Sequence, residues 1–163
     1  MRPYQVYATQ NVINGLRRVD FDLGTNKVGY IWHTTGSGKT ITSFKTAWLA
    51  SRMPKIDKVV FLVDRIALTK QTSENYRAYD PDYDPDIKDE LTGSVRDTDN
   101  TRDLSRKLKS KDNNIIVTSV QKLDKLIKRK SFKSPDKNIV FIVDEAHRST
   151  GGDSFKAIQK AFK

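Results

Sequence analysis

A glycine-rich stretch has the residue types that cradle a phosphate chain, and it consists of Thr35, Gly36, Ser37, Gly38, Lys39 and Thr40. Gly36 and Gly38 allow tight backbone turns in which successive N–H groups point at phosphate oxygens. Lys39 would reach the β- and γ-phosphates, and Thr40 would place its hydroxyl on Mg²⁺. The strict form of this pattern has glycine where this chain has His33. The stretch therefore predicts a site for a nucleoside triphosphate and Mg²⁺.

An acidic pair lies much later in the chain, in the string Asp144-Glu145-Ala146-His147. It follows the apolar run 139–143, so Asp144 would stand at the end of a strand and bind Mg²⁺ through water. Glu145 could accept a proton from an attacking water. Combined with the phosphate loop, the pair predicts triphosphate hydrolysis. His147 is either a hydrogen-bonded loop histidine or a link between the nucleotide site and a neighbouring domain.

Apolar runs typical of strands alternate with segments of helical periodicity. The predicted strands are 28–32, 58–64, 87–91, 115–118 and 139–144, and the predicted helices are 4–19, 40–52, 66–79, 101–110, 120–130 and 153–162. A loop rich in proline and aspartate is expected at 80–86. The alternation predicts an α/β fold, a three-layer sandwich with a mainly parallel central sheet. In such sheets ligands bind at the carboxyl ends of the strands, where both chemical segments are expected.

Composition and charge limit the class of protein. At 163 residues, with 36% hydrophobic and 31% charged residues, the chain is expected to form one domain, residues 1–163. It has no cysteine, no visible signal peptide and no apolar run long enough for a membrane span, which favours the cytoplasm. The net charge of +10 indicates either a polyanionic partner such as nucleic acid or a generally basic surface.

The motifs together resemble the first RecA-like domain of a superfamily 2 helicase or translocase. Longer strings resemble the motor subunit of type I restriction endonucleases: Gly29 to Thr40, Val63 to Arg65 with Leu68 and Gln71, Ile116 to Thr118 with Gln121 to Leu123, and Asp144 to Ser149. In that subunit histidine is usual at the position of His33. The resemblance implies a P-loop NTPase domain that binds ATP and Mg²⁺. It also implies half of a double-stranded DNA translocase that works in the cytoplasm with modification and specificity subunits.

The resemblance assigns further roles. Gln5, within Arg2-Pro3-Tyr4-Gln5, is similar to a glutamine that reads the adenine edge, and Arg65 is similar to a residue that contacts DNA phosphates. The other residues that match strand-tracking motifs are Thr92, Gly93, Ser94, Thr118 and Gln121. Lys39, Asp144 and Glu145 are the expected catalytic residues, with Thr40 and Asp144 holding the metal. His147 and Arg148 are expected to couple the site to a second domain.

The stretch 122–137 contains seven basic residues and two acidic ones. It is interpreted either as a solvated helix face or as an electrostatic approach surface for DNA.

In the resembling family a Thr-Gly-Thr type motif, a second RecA-like domain and a nuclease domain accompany this one. None of them is recognisable here, so the chain is expected to be a piece of a larger subunit. Two other functions stay open: a superfamily 2 helicase outside restriction that acts on DNA or RNA, and a nucleotide-gated nucleic-acid-binding module that does not translocate. The intact phosphate loop and acidic pair speak against the binding module.

Overall fold

A computed structural model of the chain describes residues 1–23, 28–34, 36–87, 92–145 and 152–162. The helices are α1 (Pro3–Arg17), α2 (Lys39–Ser51), α3 (Ile66–Tyr79), α4 (Thr101–Lys109), α5 (Val120–Ile127) and α6 (Asp153–Ala161), with a short 3₁₀ turn at Phe21–Leu23. The strands are β1 (Lys58–Val63), β2 (Val95–Arg96), β3 (Ile115–Ser119) and β4 (Ile139–Val143). Strands and helices alternate after α2, as the sequence predicts.

The four strands form one parallel sheet in the order β2-β3-β1-β4. Val60 in the central strand β1 pairs with Ile116 of β3 on one side and with Phe141 of β4 on the other. Every residue of β1 is buried. A strand covered on both faces needs a continuous apolar run, and the run from Val59 to Val63 meets that need.

Alternate residues of the sheet enter two different cores. Val59, Phe61 and Val63 pack with the helices α1, α2 and α3, and Tyr76 contacts the Phe44 and Phe61 rings at centroid distances of 5.3 Å and 4.9 Å. The intervening residues of β1 pack on the other side with α4, α5 and α6. The expected three-layer α/β sandwich with a parallel sheet is confirmed.

The junction between β3 and α5 brings a strand end and a helix start to one point. Ser119 ends β3 and caps α5, because its side-chain oxygen accepts a hydrogen bond of 3.1 Å from the Lys122 amide. No loop residue separates the two elements, so Gln121 stays beside the carboxyl end of the sheet.

The strand predicted at 28–32 is wrong in the structure. The described residues 28–34 have no regular structure, and the side chains of Tyr30 and Trp32 are 88% and 82% exposed. This segment runs beside α1, where Val28 lies so close to Gly15 that a Cβ added there would be 2.6 Å away. An apolar run becomes a strand only where a neighbouring strand supplies hydrogen bonds, and within the described residues this run pairs with none of the four strands.

Three smaller differences concern the middle of the chain. Residues 93–100, which lie outside the predicted strands and helices, contain the two-residue strand β2, where the Ser94 carbonyl accepts a hydrogen bond of 2.8 Å from the Ile115 amide. Of the weak strand predicted at 87–91, Ile87 lies in a bend and residues 88–91 are outside the described residues. The helix predicted at 120–130 ends at Ile127.

Candidate nucleotide-binding site

The glycine-rich stretch forms a tight turn that leads into α2. Gly36 and Gly38 have φ angles of +76° and +82°, in the left-handed region that glycine enters without strain. The Ser37 amide donates a hydrogen bond of 3.1 Å to the Thr34 carbonyl, which closes the turn. Gly38 then stands as the N-cap of α2. Backbone N–H groups at such a helix start favour a phosphate group; Thr35 lies outside the described residues.

Lys39 and the acidic pair are brought together by the fold. The Nζ atom of Lys39 lies 2.9 Å from Oδ1 of Asp144 and 2.9 Å from Oε1 of Glu145. Burial alone would lower the pKa of Lys39, but hydrogen bonds and ionic attraction to the two carboxylates outweigh it and raise the pKa. The ammonium therefore stays charged and is held at the carboxyl end of β4.

The acidic pair is positioned by backbone hydrogen bonds. The Asp144 amide donates to the Leu62 carbonyl at 2.9 Å, which extends the pairing of β4 with β1 by one residue. The Glu145 amide donates to Oδ1 of Asp144 at 2.9 Å. Glu145 has a φ of +51°, a left-handed conformation that is uncommon outside glycine and that is often found at functional sites. His147 and Arg148, the predicted coupling residues, are outside the described residues.

The side chains available for Mg²⁺ are of the right chemical kind. Thr40 and Asp144 offer a hydroxyl and a carboxylate oxygen, and Mg²⁺ prefers oxygen ligands from one or two carboxylates together with phosphates and water. Within residues 1–23, 28–34, 36–87, 92–145 and 152–162, no group of three or more His, Cys, Asp or Glu side chains could hold a metal ion. The donor set thus fits a metal that arrives with a phosphate ligand.

Gln5 is buried against the phosphate loop. It is 5% exposed, its Nε2 donates to the Ser37 carbonyl at 2.9 Å, and its Oε1 accepts from the Arg2 amide at 2.7 Å. The structure thus joins Gln5 to the loop, while its role in reading adenine stays a prediction.

Two further contacts on the loop were not predicted from the sequence. The Tyr4 hydroxyl donates to the same Ser37 carbonyl at 2.7 Å. His33 Nδ1 lies 2.9 Å from the Ser37 hydroxyl oxygen. The only sequence signal for Tyr4 is its place next to Gln5, and nothing local indicates which carbonyl it would reach.

Two of the six predicted DNA-contacting residues share the carboxyl edge of the sheet with the nucleotide site. Arg65 is exposed at the N-cap of α3, two residues after the end of β1. Gln121, also exposed, donates from Nε2 to the Asp64 carbonyl at 2.6 Å, which links the ends of β3 and β1. Both side chains are accessible there.

Thr118 does not fit its predicted role. It is 0% exposed within β3, and its hydroxyl has no hydrogen-bond partner in the described part of the chain. A side chain enclosed between the sheet and the helices cannot touch a DNA phosphate directly. A polar residue in the middle of a buried strand looks the same in sequence as one at its exposed end.

Thr92, Gly93 and Ser94 lie at the opposite edge of the sheet. They precede β2, whose first residue pairs with the first residue of β3, so they stand at the amino ends of the strands. Their polar groups serve the loop itself. The Ser94 amide donates to Oδ2 of buried Asp80 at 2.5 Å, and the Thr92 hydroxyl bonds the backbone of Asp84. The six residues therefore do not form one continuous DNA-facing set.

The basic run 122–137 is divided between structural and exposed side chains. Lys122 donates to the Thr98 carbonyl, Arg129 donates to the Thr101 hydroxyl, and Lys128 pairs with Asp124 at 2.7 Å. The exposed basic residues of the run are Lys125, Lys128, Arg129, Lys130 and Lys133, and Lys128 and Arg129 remain exposed despite these contacts. Some side chains of the run thus make hydrogen bonds or ion pairs within the chain, and the exposed ones form an accessible positive surface.

Every helix in the described part of the chain is too short or too polar to span a membrane.

Comparison with known families agrees with the fold. All 163 residues match the family described as "Type III restriction enzyme, res subunit". A type I restriction enzyme endonuclease subunit of Staphylococcus saprophyticus is 41% identical over 99% of this chain and 16% of its own length. A protein of Mycoplasma pneumoniae, described as the C-terminal part of a putative type I restriction enzyme endonuclease, is 41% identical over 99% of this chain and 78% of its own length.

A solved structure has the same fold. It is a nuclease-deletion mutant of the Type ISP restriction-modification enzyme LlaGI in complex with a DNA substrate mimic, with a TM-score of 0.62, 19% identity, and coverage of 97% of this chain and 16% of that one. The fold is therefore the expected RecA-like α/β sandwich. The chain belongs to the restriction enzyme res subunit family, and the resemblance to the type I endonuclease subunit is confirmed. It spans 16% of the length of the staphylococcal relatives it matches.

Proposed function

We propose that this chain is the ATP-binding half of an ATP-dependent double-stranded DNA translocase in a type I restriction–modification complex. The observation that carries the proposal is the contact of the Lys39 ammonium with Glu145, 106 positions away in sequence, and with Asp144 beside it. A lysine at the start of a glycine-capped helix, facing two carboxylates at a strand end, suits the binding and hydrolysis of a Mg²⁺-bound triphosphate.

Each polar group of the site has a role in this proposal. Lys39 exchanges its carboxylate partners for the β- and γ-phosphates, and the backbone of the loop binds the same oxygens. Thr40 and Asp144 would hold Mg²⁺, which would neutralise charge on the phosphates. Once Lys39 has moved to the phosphates, Glu145 can accept the proton of the attacking water. The adenine would be read by Gln5.

The partners follow from the family and the charge. Arg65 and Gln121 are exposed at the same edge of the sheet and would contact the phosphates of DNA, which carry no sequence information. The net charge of +10 favours such a partner. Modification and specificity subunits would select the target, and a second motor domain in the parent protein would complete the ATP site. Work on DNA implies the cytoplasm.

Isothermal titration calorimetry with Mg²⁺-ATP tests the proposal. We expect weak binding that Lys39→Ala reduces about tenfold or more, because a charged hydrogen-bond donor to the phosphates is lost. Lys125→Ala is the matched control, since Lys125 is an exposed lysine of α5 on the other side of the sheet. Equal affinities of the wild type and Lys39→Ala for Mg²⁺-ATP would show that the nucleotide site is assigned wrongly.

A further inference from the structure

The Ser37 carbonyl accepts two hydrogen bonds from consecutive residues of α1. The Tyr4 hydroxyl donates at 2.7 Å and the Gln5 amide nitrogen donates at 2.9 Å. The other end of the Gln5 amide accepts from the Arg2 amide at 2.7 Å, so the side chain is held at both ends. Arg2 is the N-cap of α1, and Tyr4 and Gln5 lie in its first turn.

Two donors on one carbonyl fix the orientation of a whole peptide unit. In a trans peptide the C=O and N–H bonds point in opposite directions. Because the Ser37 carbonyl points at α1, the Gly38 N–H points away from α1, at the start of α2. That is the direction in which a phosphate-binding loop must present its amides.

The packing of Gly38 supports the same point. A Cβ at this position would lie 2.1 Å from Nε2 of Gln5, which is far inside a van der Waals contact. The Gln5 amide therefore lies directly against the loop backbone. A side chain at position 38 would clash with this amide, so close packing as well as the φ of +82° requires glycine there.

We infer that Tyr4 and Gln5 are positioning residues that hold the Ser37–Gly38 peptide in its phosphate-binding orientation, so that they promote binding of the triphosphate whatever base it carries. The inference rests on the proposed function and extends it. Reading of adenine by Gln5 would act on ATP alone. Orientation of the loop acts equally on ATP, GTP and a bare polyphosphate chain.

The experiment uses two variants that keep the shape of the side chain and remove one donor each. Tyr4→Phe deletes the hydroxyl. Gln5→Glu keeps the oxygen that accepts from Arg2 and replaces the donating nitrogen. Tyr7→Phe and Gln10→Glu make the same chemical changes on exposed positions of α1 and are the controls. Affinities for Mg²⁺ with ATP, GTP and inorganic tripolyphosphate are measured for each, together with the melting temperature without ligand.

We expect Tyr4→Phe to bind all three ligands about fivefold more weakly, with the ratios between ligands unchanged and both controls at wild-type affinity. Gln5→Glu should also weaken all three ligands, and ATP most, because its added negative charge repels phosphate and the proposed reading of adenine is lost as well. Tyr4→Phe, which changes no charge, is therefore the deciding variant. Tyr4 is partly exposed, so Tyr4→Phe should keep the wild-type melting temperature and carry the test even if Gln5→Glu unfolds. Loss of ATP affinity with unchanged affinity for GTP and tripolyphosphate would overturn the inference, as would wild-type binding of all three ligands by Tyr4→Phe. If the wild type does not bind tripolyphosphate, the inference is tested by the same comparison with ATP and GTP alone.

Lys39→Ala separates this inference from the proposed function. If that variant binds all three ligands as the wild type does, the nucleotide site itself is wrong. If it loses affinity while Tyr4→Phe and Gln5→Glu do not, only the positioning role fails.

Discussion

The Nζ atom of Lys39 lies 2.9 Å from Oε1 of Glu145. The residue expected to bind phosphate therefore forms an ion pair with the residue expected to activate water. Asp144 shares the same ammonium at 2.9 Å. In this arrangement the Glu145 carboxylate is engaged by the positive charge of Lys39. A phosphate that draws Lys39 away would release it. Under the proposed function, the contact would thus couple nucleotide binding to readiness for hydrolysis.

Hydrolysis by the 163-residue chain should be close to background, with or without DNA. The chain supplies Lys39, Thr40, Asp144 and Glu145, but the arginine that stabilises the transition state in related motors would come from a second domain. Such an arginine contributes about 10³ to 10⁵ in rate. Phosphate release is the measurement, and brisk DNA-stimulated turnover by this chain alone would contradict the idea of half a motor.

Glu145→Gln should separate binding from hydrolysis in a longer protein that includes the second motor domain. The amide keeps the size of the side chain but cannot accept the proton of water, so we expect ATP to stay bound and DNA-stimulated turnover to be lost. Filter binding of labelled ATP and phosphate release are measured on the same sample. Glu74→Gln is the control, because it makes the same chemical change at an exposed position of α3. Turnover at the wild-type rate in Glu145→Gln would remove Glu145 from the catalytic residues.

Binding of DNA should be weak, independent of sequence and strongly dependent on salt. Contacts to phosphates release counterions, so the logarithm of the affinity should fall with the logarithm of salt concentration, with a slope of about −0.9 per phosphate contacted. Fluorescence anisotropy between about 50 and about 200 mM salt measures that slope. An affinity that is flat in salt, or that survives for a single sequence only, would rule out phosphate contacts.

The location of the DNA surface can be tested with two sets of variants. Arg65→Ala and Gln121→Ala should each weaken DNA binding a few-fold, because both residues are exposed at the carboxyl edge of the sheet. Joint neutralisation of Lys128, Arg129 and Lys130 tests the basic run. If it leaves the salt slope unchanged, the run is a solvated face; if it lowers the slope, the run approaches DNA.

Lys58 should make stability depend on pH in the alkaline range. Its ammonium is buried at the start of β1, where it donates to the Ser110 hydroxyl at 2.8 Å and to the Asp112 carbonyl. Burial, assisted by the positive charge of Lys137, lowers the pKa of Lys58 from 10.5 to about 8. Below pH 8 the folded state carries the full cost of a buried charge. Between pH 8 and 10.5 the unfolded chain binds more protons than the folded one, so this cost disappears as pH rises.

The comparison with Lys58→Met isolates that effect. The free energy of unfolding of the wild type, relative to the variant, should increase between pH 8 and 10.5 and stay level below pH 8. Denaturant unfolding at a series of pH values measures it. A difference that is constant across this range would show that Lys58 titrates normally.

The sequence alone predicted the strands and helices that depend on a local pattern of residue types. The apolar run 59–63 predicts β1, helical spacing with a following proline-rich loop predicts α3, and both have nearly the observed ends. The chemistry of Lys39, Asp144 and Glu145 follows from residue type and from their place after apolar runs. The acidic pair lies at the carboxyl end of the sheet because it follows β4. The packing of α2 brings Lys39 to that end, since the apolar run before Lys39 is not a strand of the sheet.

Only the tertiary structure decided which polar side chains are exposed to solvent and at which end of the sheet they lie. Thr118 and Gln121 are three positions apart, yet one is enclosed in β3 and the other is exposed at the start of α5. Thr92, Gly93 and Ser94 stand at the edge of the sheet opposite the phosphate loop, because β2 pairs with β3 there. Gln5 bonds to a carbonyl 32 positions away. Exposure and such contacts depend on the order of strands and on residues distant in sequence, which no local pattern of residue types specifies.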